Sequence, residues 1–303
     1  MTIKVQFLGT SGSVPTEKRS LPAVYLEFRG SRVLFDCGEG TQRQMRIAGI
    51  PFMKLDRIFI SHYHADHCLG LGGLIQTMDL FKRTEKLEIY GPKGVKDVLE
   101  NIVTAGNFVP EGFDVEINVF KPKGVQQIYA DRDYSIRCAL LDHTISCLGF
   151  SFEEATKRKF LKQKALHLGV PEGPLFHRLQ LGEEVKVGKR VIKPNQVLGK
   201  AVPGRKVTYI PDTRPCTAAV ELARGSNLLI HDSTFSHDFQ ESAMEGRHST
   251  SKEAAEIAKR AKVKQLYLTH FSQRYTSTSG MEKEAAKVFP ASKAASDFDI
   301  IEI

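Results

Sequence analysis

The chain of 303 residues has no tryptophan, and its five cysteines (Cys37, Cys68, Cys138, Cys147, Cys216) include no Cys-x-x-Cys pair. An odd, scattered set argues against a disulfide framework and against a thiolate metal site. It points to a reducing compartment, the cytoplasm. No apolar run approaches the length that crosses a bilayer, so no membrane partner is expected. The opening Met1-Thr-Ile-Lys-Val-Gln-Phe-Leu8 alternates polar and apolar residues as a strand does, and it lacks the charged n-region and apolar core of a signal peptide. What remains is ordinary for a globular protein, with 41% hydrophobic and 26% charged residues. The length allows one large domain or two small ones, and either can bury a substantial core.

The formal net charge is +8, and it is unevenly placed. Residues 154–206 hold thirteen Lys/Arg against four Asp/Glu, whereas the rest of the chain holds thirty against thirty-one. One segment therefore carries the whole excess. Such a patch is either a solvated lysine-rich surface or an electrostatic footprint for a phosphate polymer.

The pattern along the chain is of two similar halves with an insertion. Strands are expected at 3–8, 23–28, 32–36, 55–60, 87–90, near 114–120 and at 134–142. Helices are expected at 70–81 and after Pro92-Lys-Gly-Val95. In the second half, strands at 206–210, 228–230 and 265–268 alternate with helices at 218–224 and 251–262. The last of these is announced by a capping box, Thr250-Ser-Lys-Glu253. This alternation predicts an α/β (α+β) chain with helices packed outside its sheets. Strand after strand ends in a loop bearing His or Asp, the position where such proteins place their sites.

The strongest chemical signal is Ser61-His-Tyr-His-Ala-Asp-His67, four potential ligands within six residues. In extended backbone His62 and His64 point the same way. Asp66 and His67 follow at a turn into a helix and face elsewhere. Two ions sharing the loop accommodate four donors better than one. Imidazole and carboxylate donors without thiolates suit Zn²⁺, with Mn²⁺ or Fe as alternatives.

His62-x-His64-x-Asp66-His67 resembles the signature of the metallo-β-lactamase superfamily, which implies an αββα sandwich with a dinuclear site at its edge. Within it, Leu34-Phe-Asp-Cys-Gly-Glu-Gly-Thr-Gln42, His248-Ser-Thr250 and Thr269-His-Phe-Ser-Gln-Arg-Tyr275 resemble the ribonuclease Z (tRNA 3′ endonuclease) family. The likeness runs from Val5 almost to the C-terminus. It implies that His62, His64 and His143 hold one zinc ion, that Asp66, His67 and His270 hold a second, and that Asp212 bridges them. Asp66 and His248 are then the catalytic residues, one as proton acceptor and the other as proton donor to the leaving oxygen.

The resemblance further implies one domain over 1–303 whose segment 154–206 is a tRNA-binding arm. Gly173-Pro174 and Leu179-Gln-Leu-Gly-Glu183 look like parts of that arm. Arg274 and Tyr275 would lie near the cleaved nucleotide. The family partner is precursor tRNA, and its usual assembly is a homodimer. Three positions depart from the family pattern. Asp232 stands for Glu behind His248, Pro211 for Gly before Asp212, and Glu17 for Lys in a loop tied to the RNA 3′ end. Two other classes share part of this pattern: a small-substrate phosphodiesterase on the same metal site, and a non-catalytic metal-containing RNA-binding protein.

Overall fold

The computed structural model describes residues 2–105, 109 and 111–303. Two seven-stranded sheets organise it. The first runs in the order Ile300–Glu302, Lys4–Gly9, Ala23–Phe28, Ser31–Phe35, Arg57–Phe59, Leu87–Pro92, Val115–Phe120. The second runs Ser292–Ala294, Leu266–Thr269, Leu228–Asp232, Lys206–Ile210, Leu148–Glu154, Tyr134–Leu140, Gln126–Ala130.

The inner faces of the sheets meet through aromatic rings. Phe35 lies 5.9 Å from Phe150 and 6.0 Å from Tyr209, Phe28 is 5.6 Å from Phe152, and Phe7 is 5.7 Å from Tyr267. Each outer face is apolar too, so each needs a cover. Helices Thr41–Ile47, Gly70–Leu80 and Val95–Val103 supply Met45, Leu74, Met78 and Leu99 to one face. Helices Thr217–Ala223, Ser251–Ala261 and Ser279–Val288 supply Leu222, Ile257, Ala258 and Met281 to the other. The result is the αββα sandwich expected from the sequence.

The chain divides into two compact units. One comprises Met1–Ala130, Ser135–Phe152 and Lys206–Ile303, and the other Asp131–Tyr134 and Glu153–Arg205. The second has a small core of its own, in which Ala165, Val170, Leu179, Val185, Ile192 and Val197 are buried. Two short two-stranded antiparallel sheets, Lys157–Phe160 with Leu198–Val202 and Val185–Val187 with Arg190–Ile192, accompany its helices. Eleven of its described Lys and Arg side chains are exposed, among them Arg158, Lys159, Lys186, Lys189, Arg190 and Lys200.

In the larger unit, parallel strands bring distant loops to one edge. Ile210 is in register with His231, and Asp232 with Thr269. The residues that follow Ile210, Asp232 and Thr269 therefore emerge side by side. The helix Ser251–Ala261 starts at that edge. Thr250 Oγ1 accepts from the Glu253 amide at 3.2 Å, and Glu253 Oε2 accepts from the Thr250 amide at 2.9 Å. Losing such a cap costs about 1 kcal/mol. Thr250→Ala is therefore expected to lower the unfolding free energy by about that amount in denaturant titration, with the slope of the transition unchanged.

Candidate metal centre

The strand Arg57–Phe59 releases the chain into the buried loop that carries Ser61, His62 and His64, and the short helix Ala65–Cys68 then presents Asp66 and His67. His143 follows the strand Tyr134–Leu140, Asp212 follows Lys206–Ile210, and His270 follows Leu266–Thr269. The seven residues converge.

His62 Nε2 is 3.1 Å from His64 Nδ1, which is 3.2 Å from His143 Nε2. A second cluster forms around His67 Nε2, 3.2 Å from His270 Nε2 and 3.5 Å from Asp66 Oδ2. Asp212 stands between the clusters and divides its two oxygens. Its Oδ2 lies 3.6 Å from His62 Nε2 and 3.8 Å from His143 Nε2, and its Oδ1 lies 3.2 Å from both His67 Nε2 and His270 Nε2. The buried Oδ1 has no hydrogen-bond partner among the described residues.

Five imidazoles that turn nitrogens on one another around an unsatisfied carboxylate oxygen form a set of lone pairs with too few protons. A cation satisfies such a set. The donors fit two divalent ions of the zinc type, four donors each when Asp212 is shared.

The opposite ring nitrogens are anchored. His62 Nδ1 lies 2.9 Å from Ser61 Oγ, His143 Nδ1 3.0 Å from the Arg247 carbonyl, and His270 Nδ1 2.9 Å from Thr234 Oγ1. His67 Nδ1 meets Asp36 Oδ2 at 2.7 Å. These contacts fix ring orientation and select which nitrogen faces inward. Burial holds His62, His64 and His143 below the ordinary imidazole range, in the neutral form that ligates. For Asp66 burial acts in the opposite sense, and the His270 contact and the neighbouring imidazoles outweigh it, so it stays ionised. Its Oδ2 also accepts from the Ser13 amide at 2.7 Å. Gly12 leaves room for this arrangement, because a Cβ there would sit 2.6 Å from the His270 ring.

Beside the clusters, His248 Nδ1 lies 3.3 Å from Asp232 Oδ2 and 3.8 Å from Asp212 Oδ2. Burial would lower the pKa of His248, and the Asp232 carboxylate lifts it to about 9. The shorter side chain of Asp232 does reach, because the backbone comes to it: Oδ2 also accepts from the amides of Ser249 at 3.0 Å and Thr213 at 3.2 Å. Arg214 grips the same loop, donating to the His248 carbonyl at 2.5 Å and pairing with Glu253. Pro211 leaves Asp212 buried at the junction of the clusters.

Two residues with structural roles here had no role assigned from sequence. Asp36, at φ +56°, is a buried hub that accepts from the Ser61 amide at 2.7 Å, Ser61 Oγ at 2.9 Å and the Tyr209 hydroxyl at 2.8 Å, besides holding His67. Thr234 orients His270. Asp36 lies inside the motif 34–42 already singled out, but its hub role is a property of the fold that no local sequence signal gives. Of the remaining candidates, Arg274 is exposed near Phe235, and Glu17 is exposed in the turn at Thr16–Arg19, which with Gln273, Tyr275 and Thr276 lines a cavity of about 450 Å³. Gly173, at φ +130°, precedes the helix Pro174–Gln180 in the smaller unit, with Pro174 in its first turn.

A paired His/Asp donor set at the strand ends of an αββα sandwich defines a hydrolase of the metallo-β-lactamase superfamily. The family described as "Beta-lactamase superfamily domain" matches residues 181–271, and that described as "Anti-Pycsar protein Apyc1" matches residues 3–156. Matches over the full length are more specific. A ribonuclease Z of Methanothermobacter thermautotrophicus is 44% identical over 99% of this chain and 97% of its own. That of Archaeoglobus fulgidus is 42% identical over 100% and 98%. The crystal structure of human tRNase Z, short form (ELAC1), covers 98% of both chains at 26% identity with a TM-score of 0.71. The metallo-β-lactamase fold protein YhfI of Bacillus subtilis matches the fold at 20% identity, covering 100% of both chains with a TM-score of 0.72. The chain belongs to the ribonuclease Z family and is a hydrolytic endonuclease of that superfamily.

The anchoring of His67 yields a test. Asp36→Asn keeps the volume and removes the charge behind His67, so it is expected to weaken metal retention about 10- to 100-fold in competition with a chelator. Unchanged retention would remove Asp36 from the site.

Proposed function

We propose that the chain removes the 3′ trailer from precursor tRNA by hydrolysing one phosphodiester, leaving a 3′-hydroxyl on the tRNA. The observation that carries this reading is the division of Asp212 between two donor clusters, with His248 held by Asp232 next to them. In this reading His62, His64 and His143 hold one ion, Asp66, His67 and His270 the other, and Asp212 bridges. Two zinc ions there would supply Lewis acidity toward the phosphoryl oxygens and a water acidic enough to ionise near neutral pH.

The chain's own groups do the rest. Asp66, pinned by the Ser13 amide, orients the attacking water and takes its proton. His248 offers Nε2, since Asp232 occupies Nδ1. As the bond from phosphorus to the ribose 3′ oxygen breaks, His248 donates its proton to that oxygen. The products are a tRNA 3′-hydroxyl and a 5′-phosphorylated trailer. Asp232 keeps the ring cationic and correctly turned.

The exposed basic side chains of the smaller unit support its reading as the arm that holds tRNA, through phosphates rather than bases. Backbone and shape recognition suits substrates that share a fold and not a sequence. Gly173 and Pro174 belong to that arm. Arg274 contacts RNA beside the cut. Among the described residues no helix is long and apolar enough to cross a membrane. We place the enzyme in the cytoplasm, as a homodimer.

The test is a labelled tRNA precursor with a 3′ trailer, incubated with and without a zinc chelator. One chelator-sensitive cut beside the discriminator base is expected. Intact RNA from a metal-loaded enzyme that still cleaves a bis-aryl phosphodiester would assign it to small substrates instead. His248→Ala is expected to keep its metal content and lose about 10²- to 10⁴-fold in rate. Loss of an ion in that variant would make His248 a ligand. On the precursor kcat/KM should fall steeply with rising salt, while hydrolysis of the small diester stays nearly flat. Equal slopes would argue against the basic arm.

A further inference from the structure

Next to His248 a series of planar groups runs outward to solvent, of which only Arg274 has a role so far. The Phe235 ring lies 6.2 Å from the His248 ring, edge to face. The Arg274 guanidinium then sits 4.9 Å from the Phe235 ring centre and 4.6 Å from that of Phe239. Arg274 thus packs over two phenylalanine rings, and no carboxylate among the described residues forms an ion pair with it. Phe239, the outer member, is 42% exposed.

The loops that carry these groups are tied together. The Ser272 amide donates to the Thr234 carbonyl at 3.1 Å, and the Ser236 amide donates to the Tyr275 hydroxyl at 2.9 Å. Tyr275 in turn meets the Phe239 ring edge to face at 6.4 Å.

An exposed phenylalanine costs solvation unless something covers it, and a guanidinium packed over rings keeps its plane fixed with its N–H edge free for a phosphate. Ring faces and a fixed arginine are what single-stranded nucleic acid stacks on. His248 serves the leaving ribose oxygen in the reading above, so the neighbouring platform lies on the side of the RNA that the enzyme retains.

We propose that Phe235, Arg274 and Phe239 form a nucleotide platform, on which Phe239 stacks the base of the last retained nucleotide and Arg274 grips an adjacent backbone phosphate. The inference rests on the tRNA-processing reading. The platform positions the scissile bond and takes no part in the chemistry. Phe239 accepts any base, since every base has a π-face, and this suits a retained nucleotide that differs between tRNAs.

The experiment pairs Phe239→Leu, Phe239→Trp, Arg274→Lys and Arg274→Gln with precursors carrying an abasic residue at either the last retained or the first trailer nucleotide. A bis-aryl phosphodiester serves as the reference substrate. Phe239→Leu keeps the bulk and loses the ring. Its kcat/KM on the normal precursor should fall about 10- to 50-fold further than on the small diester. Phe239→Trp should restore it. Arg274→Lys should lose as much as Arg274→Gln, because a lysine cannot be held flat over rings.

The abasic residue at the last retained nucleotide should slow the wild type by a similar factor and leave Phe239→Leu no slower. Coupling with the trailer nucleotide instead, no coupling with either, or equal losses on both substrates would overturn the platform. A wild type that never cuts the precursor would overturn the reading beneath it, whatever the variants do.

Discussion

Everything at the active edge depends on one buried carboxylate. Asp212 is withdrawn from water, and its Oδ1 finds no hydrogen-bond donor among the described residues. Burying an isolated carboxylate costs on the order of several kcal/mol even after relaxation. The fold offsets that cost by surrounding the group with imidazoles, four of which, those of His62, His67, His143 and His270, have their other nitrogen held by Ser61, Asp36, Arg247 and Thr234. An arrangement so poor in protons gains stability from cations. The same feature that is a liability to an ion-free protein makes the site a receptor for cations. The sandwich supplies the rigidity: parallel strands in register deliver the loops after Ile210, Asp232 and Thr269 to one line.

How much of this was legible in the sequence depended on distance along the chain. His62, His64, Asp66 and His67 are contiguous, and strand alternation sufficed to see that they face two points. The central strands were readable as well, because apolar runs bounded by Gly, Pro or His mark them. The strand Lys206–Ile210 has the bounds expected. The helix Thr41–Ile47 gave no warning, since Gly40 at φ +82° starts it with no side-chain cap. The closing strand Ile300–Glu302 is only three residues long and finds Lys4–Gln6 at the other end of the chain. Asp36 was inside a motif already singled out, yet its work is done through Ser61, His67 and Tyr209, the last 173 residues away. No local pattern encodes such a hub.

The departures from the family pattern show what a motif leaves out. Replacing Glu by Asp behind a histidine removes one methylene, and from sequence alone that looks like lost reach. In the fold, Asp232 ends a central strand, and the Ser249 and Thr213 amides close on its Oδ2, drawing the His248 loop inward until the ring stands at 3.3 Å. Arg214 and Glu253 hold that loop from the other side. The distance that matters is set by backbone hydrogen bonds, which the identity of the side chain does not report.

Chemistry that reads only phosphorus and its oxygens does not by itself distinguish one phosphodiester from another. Selectivity for a large RNA must therefore come from binding that is realised away from phosphorus and converted into placement of one bond. The charge distribution separates the two tasks within the sequence. The segment 154–206 carries the whole basic excess and the rest of the chain is close to neutral. In the proposed reading, phosphate contacts spread over that segment would raise affinity for any RNA of suitable shape and could not choose between neighbouring bonds. Choosing the bond needs a rigid contact within a nucleotide of the proton donor. In the proposal above, Phe235, Arg274 and Phe239, whose loops are tied together beside His248, make it.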